Sequence, residues 1–407
     1  MVKFKNDLGG HNISGNIGVR VVRTERVSQG FNQFPTAGSG FNLSACNPPP
    51  PPPNQPPAKL PDYCSYSASI LAAQAAFADG ALVPESTKLD YTYVLPNLNV
   101  KFDILPNLFA RFALSKTMTP PPIGYLRSAY QLGGLAVPKD TNGNDIFLAN
   151  GSLAPPVGQT QVGNAMLKPE TSQNVDLSFE WYFSEVGSLT TALFWKELHD
   201  TTVVNTTVQN FTTAGATFGE VISQPGNSSA AGKVKGAEFG YRQTYDFLPG
   251  VLSGLGIDTN YTLLTSKGVP QSVLNETSAN VGANVLPTVS LSRLPLQGLS
   301  KQTFNAAGIY DKGPFSARLA WEWRSRFLLT TRDVIVPYAP IMSENHGQLS
   351  ASAFYSITPH IKLGFEGANL TDSITRTTQV LNNDLFRVPR SWFISDRRYS
   401  AVIRCTF

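Results

Sequence analysis

The sequence is poor in charge, cysteine, histidine and long apolar runs, and each shortage excludes something. Charged residues are 15% of the 407, below the roughly 25% of a typical soluble domain. No stretch reaches the roughly 18 apolar residues that a membrane-spanning helix needs. The nearest candidate, "SILAAQAAFADGALV" (69–83), is Ala-rich, broken by Gln74, Asp79 and Gly80, and reads as a short loop helix. The start, "MVKFKNDLGG", is basic, but no apolar core of roughly 7–15 residues follows it, so it does not read as a secretory leader. The formal charge is only +4 and no dense Lys/Arg run occurs, which speaks against nucleic acid as a partner. One membrane architecture stays open, because a closed β-barrel also satisfies every backbone group in lipid.

Motifs that carry chemistry are missing as well. The four histidines (His11, His199, His346, His360) are scattered among turns and strand ends, without metal-ligand spacing. No P-loop, Gly-x-Ser-x-Gly or His-Glu-x-x-His occurs. Catalytic residues, cofactor and metal are therefore all expected to be absent, and the chain does not read as an enzyme; distant residues converging at a barrel rim are the alternative. "DTNGND" (140–145) offers Asp140, Asn142 and Asn144 as oxygen ligands, but Gly143 comes two places early for a calcium loop and no downstream Glu completes it. A plain Asn-Gly turn fits better. Asn-x-Ser/Thr triplets begin at Asn42, Asn205, Asn210, Asn227 and Asn275. They are glycosylation acceptors in a secreted eukaryotic protein and ordinary polar loop content in a bacterial one.

Of three cysteines, Cys46 and Cys64 flank a proline-rich irregular segment. They form a candidate disulfide in an oxidising compartment, with two unpaired loop thiols as the alternative. Cys405 lies on the apolar side of the last alternating segment and acts there as a small hydrophobe.

What the sequence does have is alternation. Glycine (33) and proline (30) are plentiful, and aromatics reach 11%. "NVDLSFEWYF" sets Val175, Leu177, Phe179, Trp181 and Phe183 against Asn174, Asp176, Ser178 and Glu180. "FSARLAWEWRSRF", "GQLSASAFYSI", "NLNVKFDI" and "HIKLGFEGA" repeat the scheme. Period two reads as strands with two chemically different faces. Many run to about ten residues or more, long enough to cross a bilayer at a tilt. Short linkers such as "LPN" (105–107), "EVG" (185–187), "KGP" (312–314) and "TPH" (358–360) alternate with long polar ones at 25–87, 119–171, 199–232, 267–298, 328–345 and 371–392. Sorting of turns by length marks an outer-membrane barrel.

The expected fold class is all-β: an antiparallel transmembrane β-barrel with long extracellular loops. About twelve strands fall near 13–24, 88–104, 108–118, 172–184, 188–198, 233–247, 254–266, 299–312, 315–328, 346–357, 360–369 and 393–407. The apolar face would meet lipid and the polar face a lumen. Trp181, Tyr182, Trp195, Tyr241, Tyr245, Tyr310, Trp321, Trp323 and Trp392 suit interfacial girdles, the alternative being the interior of a soluble sandwich or propeller. Arg318, Glu322, Arg324, Glu366 and Arg404 would face the lumen, guiding solute or pairing across strands.

"GNAMLKPETSQNVDLSFEWYF" (163–183) followed by "GSLTTALFWKEL" (187–198) resembles the most recognisable barrel segment of the TonB-dependent outer-membrane receptors. Gly163, Asn164, Leu167, Lys168, Pro169, Glu170 and Thr171 match its motif, while Ala165 stands where the family has proline. "GNIGVRVVRTE" (15–25), "YVLPNLNVKFDI" (93–104), "LFARFALSKTMTPP" (108–121), "KVKGAEFGY" (233–241) and "NLTD" (369–372) resemble the same family in the same order. Thr119 stands where arginine is commoner.

The resemblance implies an outer-membrane receptor of a Gram-negative bacterium, taking up a scarce nutrient, carbohydrate or siderophore, by TonB-dependent transport. It implies that residues 1–407 are the C-terminal portion of a barrel of about 22 strands, without the plug domain. TonB would then be reached only through the missing N-terminal plug region, and the chain would not be competent alone. A self-contained passive porin-like or adhesin-like barrel is the alternative. The remaining partners implied are outer-membrane lipid and the barrel assembly machinery, whose signal Tyr399, Ile403 and Phe407 resemble. The ligand and its binding residues are not legible.

Overall fold

Thirteen strands hydrogen-bond side by side into one antiparallel sheet, and the segments joining them at one edge fold into small sheets of their own. The computed structural model describes residues 1–139, 143–269, 294–331 and 339–406, so Asp140, Asn142, Asn275 and Phe407 lie outside the described residues.

In chain order come β1 (Val2–Leu8), β2 (His11–Gln33), α1 (Ala68–Phe77), β3 (Leu82–Leu105) and β4 (Leu108–Thr119). β5 (Val157–Gln161) lies within a loop, and β6 (Glu170–Trp181) and β7 (Ser188–His199) return to the large sheet. β8 (Thr202–Thr213) and β9 (Ala216–Asn227) make a loop hairpin. Next are β10 (Gly232–Thr244), β11 (Leu255–Lys267), β12 (Gln302–Lys312) and β13 (Phe315–Arg324). β14 (Phe327–Thr330) and β15 (Ile341–Ser343) precede β16 (His346–Thr358) and β17 (Ile361–Ala368). β18 (Ile374–Val380) and β19 (Arg387–Ile394) precede the last strand, β20 (Arg398–Cys405).

The large sheet runs β1-β2-β3-β4-β6-β7-β10-β11-β12-β13-β16-β17-β20. Each of the twelve expected strands has its counterpart there, and β1 adds one at the start. Among the described residues β1 and β20 each have a single neighbour, so both edges of the sheet are open. Strand direction reverses at every step, which places turns 9–10, 106–107, 182–187, 245–254, 313–314 and 359–360 at one end and all the long connections at the other. The length-sorting read from the sequence is therefore a spatial sorting.

Register carries the two-faced pattern across the whole sheet, because directly paired residues share a face. One row runs Leu98, Leu114, Val175, Trp195. A row further along runs Tyr310, Ala317, Ala353, Phe365, Ala401. The opposite face carries rows such as Asn99, Ala113, Asp176, Phe194 and Asn305, Glu322, Gln348. A one-residue slip between any two strands would mix the faces. On the apolar face, Trp181, Tyr241, Tyr310 and Tyr355 stand near the short-turn end, and Trp195, Phe304 and Trp323 near the long-loop end. Between them the apolar face carries aliphatic residues together with Phe112, Phe179 and Phe239, and Tyr and Trp at the two margins suit the two interfaces of a bilayer.

Several boundaries differ from expectation; the expected strand 315–328, for example, ends at Arg324, and 327–330 pairs within a loop sheet. β2 and β3 run on to Gln33 and back to Leu82, where "ERVSQGFNQ" reads as polar loop. The 120–169 connection leans on this extension: Ser28 Oγ donates to Leu126 O at 3.1 Å, and Gln33 N to Tyr130 O at 2.7 Å. Residues 199–232, expected as a loop, contain the β8–β9 hairpin. The expected last strand, 393–407, is two pieces. Asn369, at φ 53°, donates through Nδ2 to Ser395 O and accepts from Ser373 N through Oδ1, breaking the run between β19 and β20. Trp392 therefore belongs to a loop sheet and not to a girdle of the wall. "SILAAQAAF" does form a helix, α1, capped by Ser67 Oγ on Ile70 N.

Candidate functional site

The described parts of the long connections form a folded platform at one end of the sheet. β5, β9 and β8 make a three-stranded sheet, and β14, β15, β18 and β19 a four-stranded one. Beneath the first sits a core built from three separate connections: Phe34, Phe77 of α1, Leu132 and Leu135, and Ala216, with Phe211 and Phe218 against it. Full burial of side chains such as Phe77 and Leu135 contributes about 1.5–3 kcal/mol each. A second cluster joins Phe41 and Tyr66 to Leu153, and Tyr66 Oη donates to Ala154 O at 2.6 Å. Burial, with Asp145 nearby, pushes that phenol up to about 12. The Cys46 and Cys64 sulfurs are bonded in the same region, with Cα atoms 5.4 Å apart. Asp79 is held below the usual carboxylate range by hydrogen bonds from Ala81 N and Thr213 Oγ1.

The segment that carried the family resemblance is a knot tying loops to wall. A Cβ on Gly163 would come within 2.7 Å of Arg127 N and O, so no side chain fits. Asn164 accepts from Met166 N at 2.8 Å and donates to Pro225 O at 2.9 Å. Leu167 is fully buried. Asn227 accepts from Lys168 N at 2.9 Å and donates to Lys168 O and Asp200 O. Glu170 accepts from Thr202 N at 2.7 Å. From β2, the Arg26 guanidinium donates to Ala165 O and, at 2.9 Å, to Leu167 O. Ala165 itself is buried, and its amide is not used in the hydrogen bonds just named, which is compatible with the proline usual there.

Several charges of the polar face stand in local pairs. Arg111 meets Glu180 at 2.7 Å, Lys101 meets Asp103 at 2.8 Å, and Arg404 meets Glu366 at 3.6 Å. Arg324 donates to Ser300 Oγ at 2.8 Å and stacks 3.7 Å above Phe327. Arg318 and Glu322 share this face. Among the described residues this face is a hydrogen-bonding surface of charged and amide side chains. Tyr399 and Ile403 of β20 lie on the apolar face, opposite Gly367 and Leu363, and both are exposed. Two of the four histidines stand beside short turns: His11 Nδ1 is 3.1 Å from Asp103 O and His360 Nδ1 is 3.1 Å from Thr406 O, whereas His199 and His346 lie at the long-loop ends of β7 and β16.

One residue of this platform escaped the sequence reading. Glu220 of β9 is fully buried; Oε2 accepts from Gly133 N at 3.3 Å, and Oε1 has no partner among the described residues. Burial pushes its carboxyl up to about 7. A Cβ on Gly158, the neighbour in β5, would collide with Oε1, so the carboxyl fills the space a side chain there would need. The available signal was phase: Ala216, Phe218, Glu220 and Ile222 occupy alternate positions, with glutamate in an otherwise apolar series.

The family model for TonB dependent receptor-like β-barrels matches residues 8–370, and the chain belongs to that family. Its members are transport receptors of the outer membrane. Two mutant forms of the ferric enterobactin receptor PfeA of Pseudomonas aeruginosa share its fold. One is 12% identical over 97% of this chain and 54% of its own, with TM-score 0.53. The other is 12% identical over 99% and 53%, with TM-score 0.51. The siderophore receptor PirA of Acinetobacter baumannii is 13% identical over 99% and 53%, with TM-score 0.48. The chain thus spans about half the length of these structures. No curated protein sequence matches it.

Proposed function

We propose that the chain is the C-terminal wall and the extracellular loops of an outer-membrane receptor that takes up a scarce nutrient, a carbohydrate or a siderophore, with TonB supplying the energy. The observation that carries this reading is the register-preserved division of thirteen strands into an apolar and a polar face, with every long connection gathered at one end. That end would face outward and bind the nutrient; the polar face would line the passage.

The two open edges support the view that further strands complete the barrel. In hydrocarbon each unpaired backbone group costs several kcal/mol, and a strand such as β1 presents a row of them. Energy coupling would require a plug and its TonB contact in addition to residues 1–407. Tyr399, Ile403 and Phe407 would serve the assembly machinery as the final-strand signal. The test is complementation: in cells lacking the native receptor, a gene for these 407 residues alone should not restore TonB-dependent uptake, and a gene supplying plug and remaining strands should. Uptake restored by residues 1–407 alone would overturn the reading.

A further inference from the structure

At the long-loop end of the apolar face, the apolar band gives way to lysines. Register aligns Lys116, Gln173, Glu197, Lys233 and Lys267 in one row across five strands, on the same face as Leu114, Val175 and Trp195. One step further into the band, Lys235 stands between Trp195 and Thr265. Four lysines against one glutamate leave a net charge of +3 (4 − 1) on this patch.

The patch is not internally neutralised. Lys233 and Lys267 are directly opposite each other, a like-charge pair that destabilises a sheet unless an anion intervenes. Among the described residues none of the four lysines lies within ion-pair distance of a carboxylate. Lys233, Lys235 and Lys267 are exposed. Directly below, an apolar groove of about 460 Å³ runs between Val175, Leu177 and Leu193 on one side and Leu263 on the other, over Gly236 and Ala237, with Lys235 in its lining.

We infer that this is a binding site for an anionic, acylated lipid of the outer leaflet, its phosphate held by Lys233, Lys235 and Lys267 and one acyl chain lying in the groove at Ala237. The inference rests on the membrane reading above. Charge and shape converge on that occupant: the groove is apolar where hydrocarbon would be, and the cations stand where a headgroup would be. Lysine stems can lie along the apolar surface while their ammonium groups reach the interface.

The test uses the protein extracted from its native outer membrane in detergent, together with the strands that complete its barrel. It is titrated with phosphatidylglycerol or phosphatidylcholine of the same acyl composition, and bound lipid is counted by native mass spectrometry. The expected result is a preference for phosphatidylglycerol of about fivefold or more, lost in the Lys233→Gln, Lys235→Gln, Lys267→Gln triple variant. Ala237→Trp, which fills the groove, should lower binding of both lipids. Excess inorganic phosphate should leave the bound lipid in place. Equal binding of the two lipids by the wild type, or an unchanged preference in the triple variant, would overturn the site, as would displacement by inorganic phosphate. Absence of the protein from the outer membrane would remove the membrane reading and this site together.

Discussion

Replacing Glu220 with glutamine tests the energetics of the loop platform most sharply. A glutamate titrates ordinarily near 4.5, and burial raises this one to about 7. Below 4.5 both folded and unfolded forms are protonated, and burial of the side chain carries no ionisation penalty. Between 4.5 and 7 the unfolded form ionises first, so stability falls; above 7 the full difference is lost. At about 1.4 kcal/mol per pH unit the gap corresponds to roughly 3 to 4 kcal/mol of local stability, or a few hundredfold in the opening equilibrium across the whole titration. Glutamine keeps the shape and cannot ionise. Amide hydrogen exchange of β8 and β9, expressed as protection factors at pH 5 and pH 8, is the assay. The wild type should lose about two orders of magnitude of protection between those values, and Glu220→Gln should lose almost none. Parallel pH profiles for the two proteins would refute the assignment of a buried carboxyl that must be neutral.

Other outcomes follow from the same geometry. Gly158→Ala should destabilise the platform by about 1–3 kcal/mol through overpacking, and Glu220→Ala in that background should restore part of the loss, a coupling that a thermal-unfolding double-mutant cycle measures. Arg26→Ala, which removes the donors to Ala165 O and Leu167 O, should cost about 1.5–3 kcal/mol for the charge-assisted contact and open the 120–169 connection to limited proteolysis. Non-reducing peptide mapping should join the Cys46 and Cys64 peptides while Cys405 takes up an alkylating agent; a free Cys46 would contradict the bridge. Leu319→Arg, on the apolar face in mid-strand, should cost about 2–4 kcal/mol of stability in a bilayer, whereas Ala320→Arg on the polar face should be nearly neutral in urea-unfolding midpoints.

The wall was legible because each strand repeats one signal, alternation, and the bilayer enforces it on every strand alike. "NVDLSFEWYF" and "FSARLAWEWR" announce their faces without help from any neighbour. The platform was not legible because its strands are held by contacts between loops far apart in sequence. β8, "TVVNTTVQNFTT", is threonine-rich, a composition equally at home in strand and loop, and only pairing with β9 and packing against α1 decide it. The break at 395–397 depends on the side chain of Asn369, some 26 residues earlier. The motif from Gly163 to Thr171 was visible as a resemblance, yet its physical role, a knot joining Arg26, Pro225 and Asn227, needed coordinates. Glu220 was marked only by its phase within one short series.

The central claim is that one face of the thirteen-stranded sheet meets hydrocarbon. A nitroxide placed singly at residues 316–323 of β13, in outer membranes with Cys405 replaced by serine, reports its surroundings through relaxation by oxygen and by a water-soluble nickel complex. Labels at 317, 319 and 321 should favour oxygen, those at 316, 318, 320 and 322 should favour nickel, and the sign should alternate residue by residue. A uniform response along the strand, or oxygen-dominated collisions at 318 and 320, would contradict it.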